Sequence, residues 1–310
     1  HPRDHHRGGS DRSGGEVSVS LRGDQGGMVY ANYNSDYYSG DDPRPYETHE
    51  IVCQLLDWGV TNIIGGGFAG LSAGIYAQMN GYQTHIYEMG DQAGGLCTAW
   101  KRKGYTIDGC IHWLVGSSPK SGLHRLWSEV GLMQGRQFVD LEQYMRFEGA
   151  DGRTFVIYTN VDRLEKHMLE LSPDDAAITR RFIDGIRLGI AYDRLQVLKS
   201  DSWLQRTHKR LSLARLMLRK AQDLQYWLRT TTEDFANRFA DPLIRQALLE
   251  MWFPEFSMFF VLFTLAYLHN HNAGYPLGGS LPMSQAMEKR YLWLGGQIHY
   301  RSKVEKILVE

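Results

Sequence analysis

The spacing of apolar positions changes several times along this chain. Ile51, Val52, Leu55 and Leu56 recur at helical spacing, and Gly59 supplies a stop. Val60, Ile63 and Ile64 then predict a short strand that runs into a glycine cluster. Leu71 to Met79 predicts a helix, and Gln83 to Glu88 a second strand. The whole unit is about 30 residues, the size of a nucleotide-binding βαβ element. Residues 123–270 read as helix-rich. Ser172-Pro173-Asp174-Asp175 places an N-cap serine before a proline and first-turn acids. Asp241-Pro242 repeats the device. Thr154 to Tyr158 alternates as a strand does. Gln297 to Tyr300, then Val304, Ile307 and Val309, return to strand-like patterns.

Residues 1–46 differ from all of this. They are rich in Gly, Ser, Asp, Arg and Tyr, and only Val17, Val19 and Leu21 alternate as a strand would. So little apolar surface does not offset ordering entropy, and the segment is expected to be mostly flexible. His1, His5 and His6 are expected to belong to an exposed tail. The first residue is His1, which predicts a processed, tagged or truncated start.

Charge and cysteine content narrow the class. Lys plus Arg is 34 and Asp plus Glu 35, for a net charge of −1, which argues against a dedicated nucleic-acid binder. Cys53, Cys97 and Cys110 contain no C-x-x-C pair, so neither a zinc ribbon nor a disulfide framework is expected. A reducing, cytoplasmic compartment follows. The longest uncharged apolar run extends only from Phe256 to Leu268. That is too short for a membrane span, which needs about 20 residues.

The chemistry begins at Gly65-Gly66-Gly67-Phe68-Ala69-Gly70, which satisfies G-x-G-x-x-G. Its first glycine allows the tight turn, its second lets backbone N–H groups approach a pyrophosphate, and its third allows helix to pack on strand. The helix N-terminus behind it favours negative charge. Glu88 ends the strand that follows this helix. There a carboxylate accepts hydrogen bonds from a ribose hydroxyl pair and disfavours a 2′-phosphate. Gly94-Gly95-Leu96 follows closely. Plain NAD dehydrogenases usually enter another helix here, so the second glycine pair points to a larger dinucleotide.

Taken in order, Ile63-Ile64 and the glycine loop, Ile86-Tyr87-Glu88, Gly94-Gly95-Leu96-Cys97-Thr98 and Gly104-Tyr105-x-x-Asp108 resemble the FAD-dependent phytoene desaturase, carotenoid isomerase and retinol saturase group. That group lies within the amine-oxidase-like flavoprotein superfamily. Gly274-Tyr275-Pro276-Leu277-Gly278-Gly279-Ser280 and Leu294-Gly295-Gly296-x-Ile298 extend the resemblance downstream. It implies an α/β fold, a Rossmann-like FAD-binding domain with a helix-rich inserted substrate domain. Residues 1–46 are then a non-family leader. Residues 47–122 and 274–310 form the FAD-binding domain, and 123–273 the substrate or lid domain. The group's members continue past this point with a further flavin-contacting segment, so the FAD-binding domain is expected to be incomplete at Glu310.

The resemblance also implies roles. Gly65, Gly67 and Gly70 hold the FAD pyrophosphate, with Phe68 and Ala69 in the same loop. Glu88 binds the adenosine ribose, with Met89 and Gly94 beside it. Gly95 and Leu96 follow the diphosphate and ribityl chain. Val304, in a strand before Ile307, meets the adenine through its backbone. Asp108 is structural or flavin-side, and His112 and Trp113 could face the flavin. No catalytic residue is assigned. Asn62 departs from the pattern, since an apolar residue is expected inside that strand.

Two segments stay open. Residues 196–230 carry eight cations (Lys199, Arg206, Lys209, Arg210, Arg215, Arg219, Lys220, Arg229) against Asp201 and Asp223. Interleaved with Trp203, Leu204, Leu211, Leu218 and Trp227, they suit either a helix on an anionic membrane, through residues 203–227, or an amphipathic helix packed on its own domain. The aromatics from Trp252 to Tyr267 suit either the wall of an apolar tunnel or a buried core helix. His269 and His271 lack a third ligand, so no metal is expected. The expected activity is FAD-dependent oxidation or reduction of an apolar isoprenoid or polyene: desaturation, saturation or flavin-assisted isomerisation. An amine oxidase-type flavoenzyme, a truncated or non-catalytic flavin-binding subunit, and an NAD-dependent dehydrogenase are the rivals.

Overall fold

The computed structural model describes residues 60–196, 198 and 200–307, together with one strand at Gly27–Tyr30. The expected helix over 51–56, the strand at Val17–Leu21, the amino-terminal histidines, Cys53, Lys199 and Val309 lie outside the described residues. In chain order the elements are strands β1 (Gly27–Tyr30) and β2 (Val60–Ile64), helix α1 (Phe68–Met79), and strands β3 (Gln83–Tyr87), β4 (Ala99–Arg102), β5 (Tyr105–Asp108) and β6 (Leu114–Val115). Helix α2 (Gly122–Glu129) precedes β7 (Phe138–Val139), β8 (Gln143–Glu148) and β9 (Thr154–Tyr158). Helices α3 (Val161–Leu171), α4 (Ala176–Arg194), α5 (Trp203–Arg229), α6 (Thr232–Ala236), α7 (Pro242–Met251) and α8 (Met258–His269) follow. Strand β10 (Ala273–Pro276), helix α9 (Ser280–Trp293) and strand β11 (Gln297–His299) complete the order.

The chain divides into two compact units, His1–Gly95 with Tyr291–Glu310, and Leu96–Arg290. The first is built on a parallel sheet in the order β1-β2-β3-β11, a Rossmann-like α/β arrangement. A parallel sheet is usually covered on both faces, yet β2 and β3 mix apolar with polar positions, Thr61, Asn62, Thr84 and His85 among them. Ile63 and Ile86 are fully buried, as are Leu71 and Ile75 of α1. Asn62 lies in β2 between Met28 of β1 and His85 of β3 and is half-buried. Tyr291 closes this core from below: its hydroxyl engages Thr84 Oγ1 at 2.8 Å and donates to Thr84 O at 2.7 Å.

The second unit is mostly helical. Helices α4 and α8 pack closely because Gly185 and Gly189 leave room for Leu262, Trp227 and Ala266. Around them gather Phe155, Phe182, Phe235, Ile244, Met258 and Val261, all buried. Strand β10 pairs antiparallel with β6 and β7, and β4–β5 and β8–β9 are hairpins.

Four expectations need correction. Strand β1 falls inside the supposed leader. The units part at Gly95/Leu96 and Arg290/Tyr291, because β10 ties the stretch after residue 273 to β6 and β7, and Ser280 binds Asp108. Residues 302–307 carry no strand, so Val304 is half-buried in irregular chain. The Ser172 side chain accepts no backbone N–H as an N-cap would. Its hydroxyl donates to Asp175 Oδ2 at 2.8 Å, within the 3-10 turn Pro173–Asp175 that leads into α4. Asp241, by contrast, caps α7 as expected, accepting from the N–H groups of Leu243 and Ile244.

Candidate functional site

The glycine loop joins the end of β2 to the start of α1. Gly65 takes φ +93°, a left-handed conformation that a side chain resists. Its N–H donates to Tyr87 O at 2.8 Å, tying the loop to the end of β3. A methyl group at Gly70 would overlap Gly65 O, so helix and loop touch backbone to backbone. Gly67 is the N-cap of α1 and offers no side chain to close the first turn. Free first-turn N–H groups with the helix dipole behind them form an anion site. Phe68 and Ala69 occupy that first turn, Phe68 half-buried and Ala69 exposed.

The second glycine pair comes to the first. Gly94 and Gly67 form a parallel bridge, and the Gly94 N–H donates to Gly66 O at 2.8 Å. A Cβ at Gly95 would stand 3.2 Å from Gly67 Cα. Two glycine segments with α1 and β3 between them in the chain therefore line one cradle, which a side chain would fill.

Glu88 completes it. Its Oε2 accepts from the Gly66 N–H at 2.6 Å and its Oε1 from the Gly90 N–H at 2.7 Å. The carboxylate is therefore held over the loop by backbone donors. Strand β11 and the chain after it brace this acid: the Glu88 N–H donates to His299 O at 2.9 Å, and the Ser302 N–H to Glu88 O at 2.9 Å. Met89 is 73% exposed beside it. The brace at residues 299–302 has no motif of its own. Only the strand-like pattern at Gln297 to Tyr300 hints at it.

Of the remaining expected positions, Leu96 opens the other unit and is 68% exposed. Val304 lies in the irregular segment after the brace. Within the second unit, Asp108 acts as a clasp. Its carboxylate accepts from the N–H groups of Cys110 (2.9 Å) and Ile111 (3.2 Å) and from the Ser280 hydroxyl and N–H. Burial pushes its pKa up, but these hydrogen bonds together hold the carboxyl below the usual carboxylate range. His112 is exposed, and Trp113 packs edge-on against Tyr144 and Trp252.

His269 Nδ1 accepts from the Val161 N–H at 3.2 Å, and His271 pairs with Asp140 at 3.3 Å. Both side chains thus have protein partners. Among the described residues no cluster of three metal-ligating side chains occurs. Helix α8 buries Met258, Val261, Leu262, Phe263 and Leu265; of the aromatics from Trp252 to Tyr267, Phe263 alone is buried, Trp252, Phe256, Phe259 and Tyr267 are half-buried, and Phe253 and Phe260 reach the surface. No helix among the described residues is long and apolar enough to cross a membrane.

A parallel β-α-β with a bare helix N-terminus, a doubled glycine cradle and a carboxylate at the end of the second strand defines a Rossmann-like dinucleotide-binding unit. Residues 63–130 match the NAD(P)-binding Rossmann-like domain. The chain is 24% identical over 269 residues to a lycopene-forming phytoene desaturase of Pseudescherichia vulneris, covering 80% of this chain and 50% of that protein. It is 23% identical over 266 residues to an inactive all-trans-retinol 13,14-reductase of Danio rerio, covering 80% and 42%. Among solved structures, an oxidoreductase from Methanosarcina mazei is similar, at 21% identity and a TM-score of 0.46, covering 81% of this chain and 53% of that one. The chain is thus a distant relative of phytoene desaturases and a retinol reductase, and it spans about half the length of the curated relatives it matches.

Proposed function

We propose that this chain binds FAD and belongs to an oxidoreductase acting on an apolar isoprenoid or polyene substrate. The observation that carries the reading is the bridge between Gly67 and Gly94, which merges two glycine segments into one cradle at a helix N-terminus. Gly65, Gly67 and Gly70 would hold the pyrophosphate through backbone N–H groups, and Glu88 would take the ribose hydroxyls. When bound, the flavin would supply hydride or electron transfer, and the chain would supply binding, orientation and electrostatics. The polyene substrate class is supported by the named activities of the relatives, phytoene desaturation above all.

The test is a titration of the purified chain with FAD, followed by flavin fluorescence and the visible spectrum. Saturable quenching that is lost in Gly67→Val is expected. Unaltered flavin fluorescence, or tighter binding of NAD than of FAD, would overturn the reading. Conversion of a polyene would then be assayed in the FAD-loaded chain, with amines as the competing substrate class.

Helix α5 supports a second part of this reading, contact with an anionic lipid surface. Among its residues only Trp227 is buried. Leu204, Leu211 and Leu218 recur at heptad spacing and so share one outward face, with Leu218 80% exposed. Trp203, 74% exposed, stands at its start. Arg210 flanks the stripe on one side and Arg215 and Arg219 on the other, and none of the three makes an ion pair among the described residues. A second copy on this face would set arginine against arginine. An anionic surface complements it, at about 1 kcal/mol per cation. Sedimentation with phosphatidylcholine vesicles containing phosphatidylserine should carry the protein down, and Leu211→Glu with Leu218→Glu should leave it in the supernatant. Binding unchanged by the double variant, or a dimer that the variant dissociates, would sink the idea.

A further inference from the structure

Cys97 and Cys110 form no C-x-x-C motif, and their spacing by itself suggests nothing. The hairpin between them changes that. Strands β4 and β5 pair Ala99 with Asp108, and the Gly109 N–H reaches Thr98 O at 3.5 Å. One further step down the ladder sets Cys97 opposite Cys110. Their Sγ atoms lie 3.4 Å apart, in hydrogen-bond contact, and both side chains are half-buried. A disulfide needs about 2.0 Å, so closing the gap moves each sulfur by well under an ångström.

We propose that Cys97 and Cys110 are a reversible thiol–disulfide pair that staples the base of this hairpin. The oxidant is a low-molecular-weight disulfide such as glutathione disulfide. In the first exchange one protein thiolate attacks it, forming a mixed disulfide and releasing one glutathione thiol. In the second, the neighbouring protein thiol loses its proton and displaces the second glutathione. Two S–H bonds and one S–S bond are exchanged for one S–S bond and two S–H bonds, so the protein loses two electrons and two protons to the small disulfide.

The surroundings fix what the staple would hold. The Cys110 N–H donates to Asp108 Oδ1, the carboxylate that also accepts the Ser280 hydroxyl. Cys97 O accepts the hydroxyl of Ser284. Both sulfurs therefore hang from backbone anchored to the start of α9, and their approach does not depend on a mobile loop. The Cys97 thiol is pushed up to about 12, first by burial and then by its hydrogen bond to Cys110 and the nearby Asp108 charge. Burial and the Cys110 contact thus keep the Cys97 thiol protonated at neutral pH, and whichever sulfur attacks first, the other lies in contact to resolve the mixed disulfide. Oxidation should be slow and rise with pH.

The experiment uses the full chain carrying Cys53→Ser, which removes the third cysteine. It is equilibrated with mixtures of reduced and oxidised glutathione, quenched with acid, alkylated and weighed intact. The expected product is lighter by about 2 Da, takes up no alkylating agent and yields one peptide joining Cys97 to Cys110. Dithiothreitol should reverse it, and Cys97→Ser should trap a glutathione adduct on Cys110. Two alkylated thiols at every ratio, or stable glutathione adducts in the Cys53→Ser chain with both partners present, would overturn the proposal. Thermal melting of the oxidised and reduced forms supplies an independent readout: a staple of this hairpin raises the oxidised form's midpoint, and an equal or lower midpoint also counts against it.

Discussion

The carboxylate of Glu88 accepts the Gly66 N–H at 2.6 Å, so the acid that ends one strand grips the loop that follows another. That grip keeps the loop shaped before any ligand arrives. Glu88→Gln retains one acceptor oxygen and loses the charge. FAD affinity should fall about tenfold, roughly 1.4 kcal/mol, as read by fluorescence titration. An affinity within twofold of the parent would show that Glu88 does not face the ribose.

Gly74 and Tyr291 fix the floor of the same unit. A Cβ at position 74 would stand 2.6 Å from Tyr291 Cε2. Gly74→Ala should therefore overpack the contact between α1 and the Tyr291 ring and cost about 1–3 kcal/mol. Tyr291→Phe keeps the ring but drops the hydrogen bonds to Thr84, for about 1–2 kcal/mol. Urea unfolding of the two variants checks both, and a neutral Gly74→Ala would show that the contact is not held in solution.

Asp175 gives a pH signature. Burial raises its pKa, but donors at Ala240 N–H (2.8 Å), Asp241 N–H (2.9 Å) and the Ser172 hydroxyl outweigh this and hold it below the ordinary value. A depressed carboxyl adds stability that is fully present above its unfolded pKa, about 3.9, and is lost as pH falls through the folded value. Asp175→Asn should lower the urea midpoint at pH 7 and should lose less than the parent on going to pH 3. Parallel acid profiles for the two proteins would contradict this.

How much of this could be read from residue order depends on how local each feature is. The glycine loop, β2, β3 and β9 follow from apolar runs and turn chemistry within a few positions, and the structure places them within a residue or two of expectation. Asp108 and Ser280 were both visible as motif residues, yet their clasp joins positions 172 apart, and nothing local announces it. Cys97 and Cys110 were legible only as an absence of C-x-x-C. Ser172 had the grammar of an N-cap, but a buried carboxylate three residues on took its hydroxyl instead. Val304 to Ile307 has the alternation of a strand but forms none, because a strand is made by pairing with another segment and local alternation does not supply one.

Trp227 and Leu218 lie on one helix and should behave oppositely. Trp227 is 2% exposed, packed against Gly185 and Phe235 and overlaid by Arg181. Trp227→Ala should cost about 3–5 kcal/mol. Leu218→Ala should stay within about 0.5 kcal/mol. Equal losses would mean that the outward stripe is covered in solution, and the lipid reading would fall with it.

Strand β11 reaches β3 across most of the chain, and His85 meets His299 ring to ring, far apart in sequence. On the ribosome, β2, α1 and β3 emerge long before their last neighbour exists. Pairing this remote is the slow step in a fold, because loop closure precedes any return in contacts. The helical unit between them can collapse on its own first. Until β11 arrives, β3 is an open sheet edge of the kind that invites mispairing.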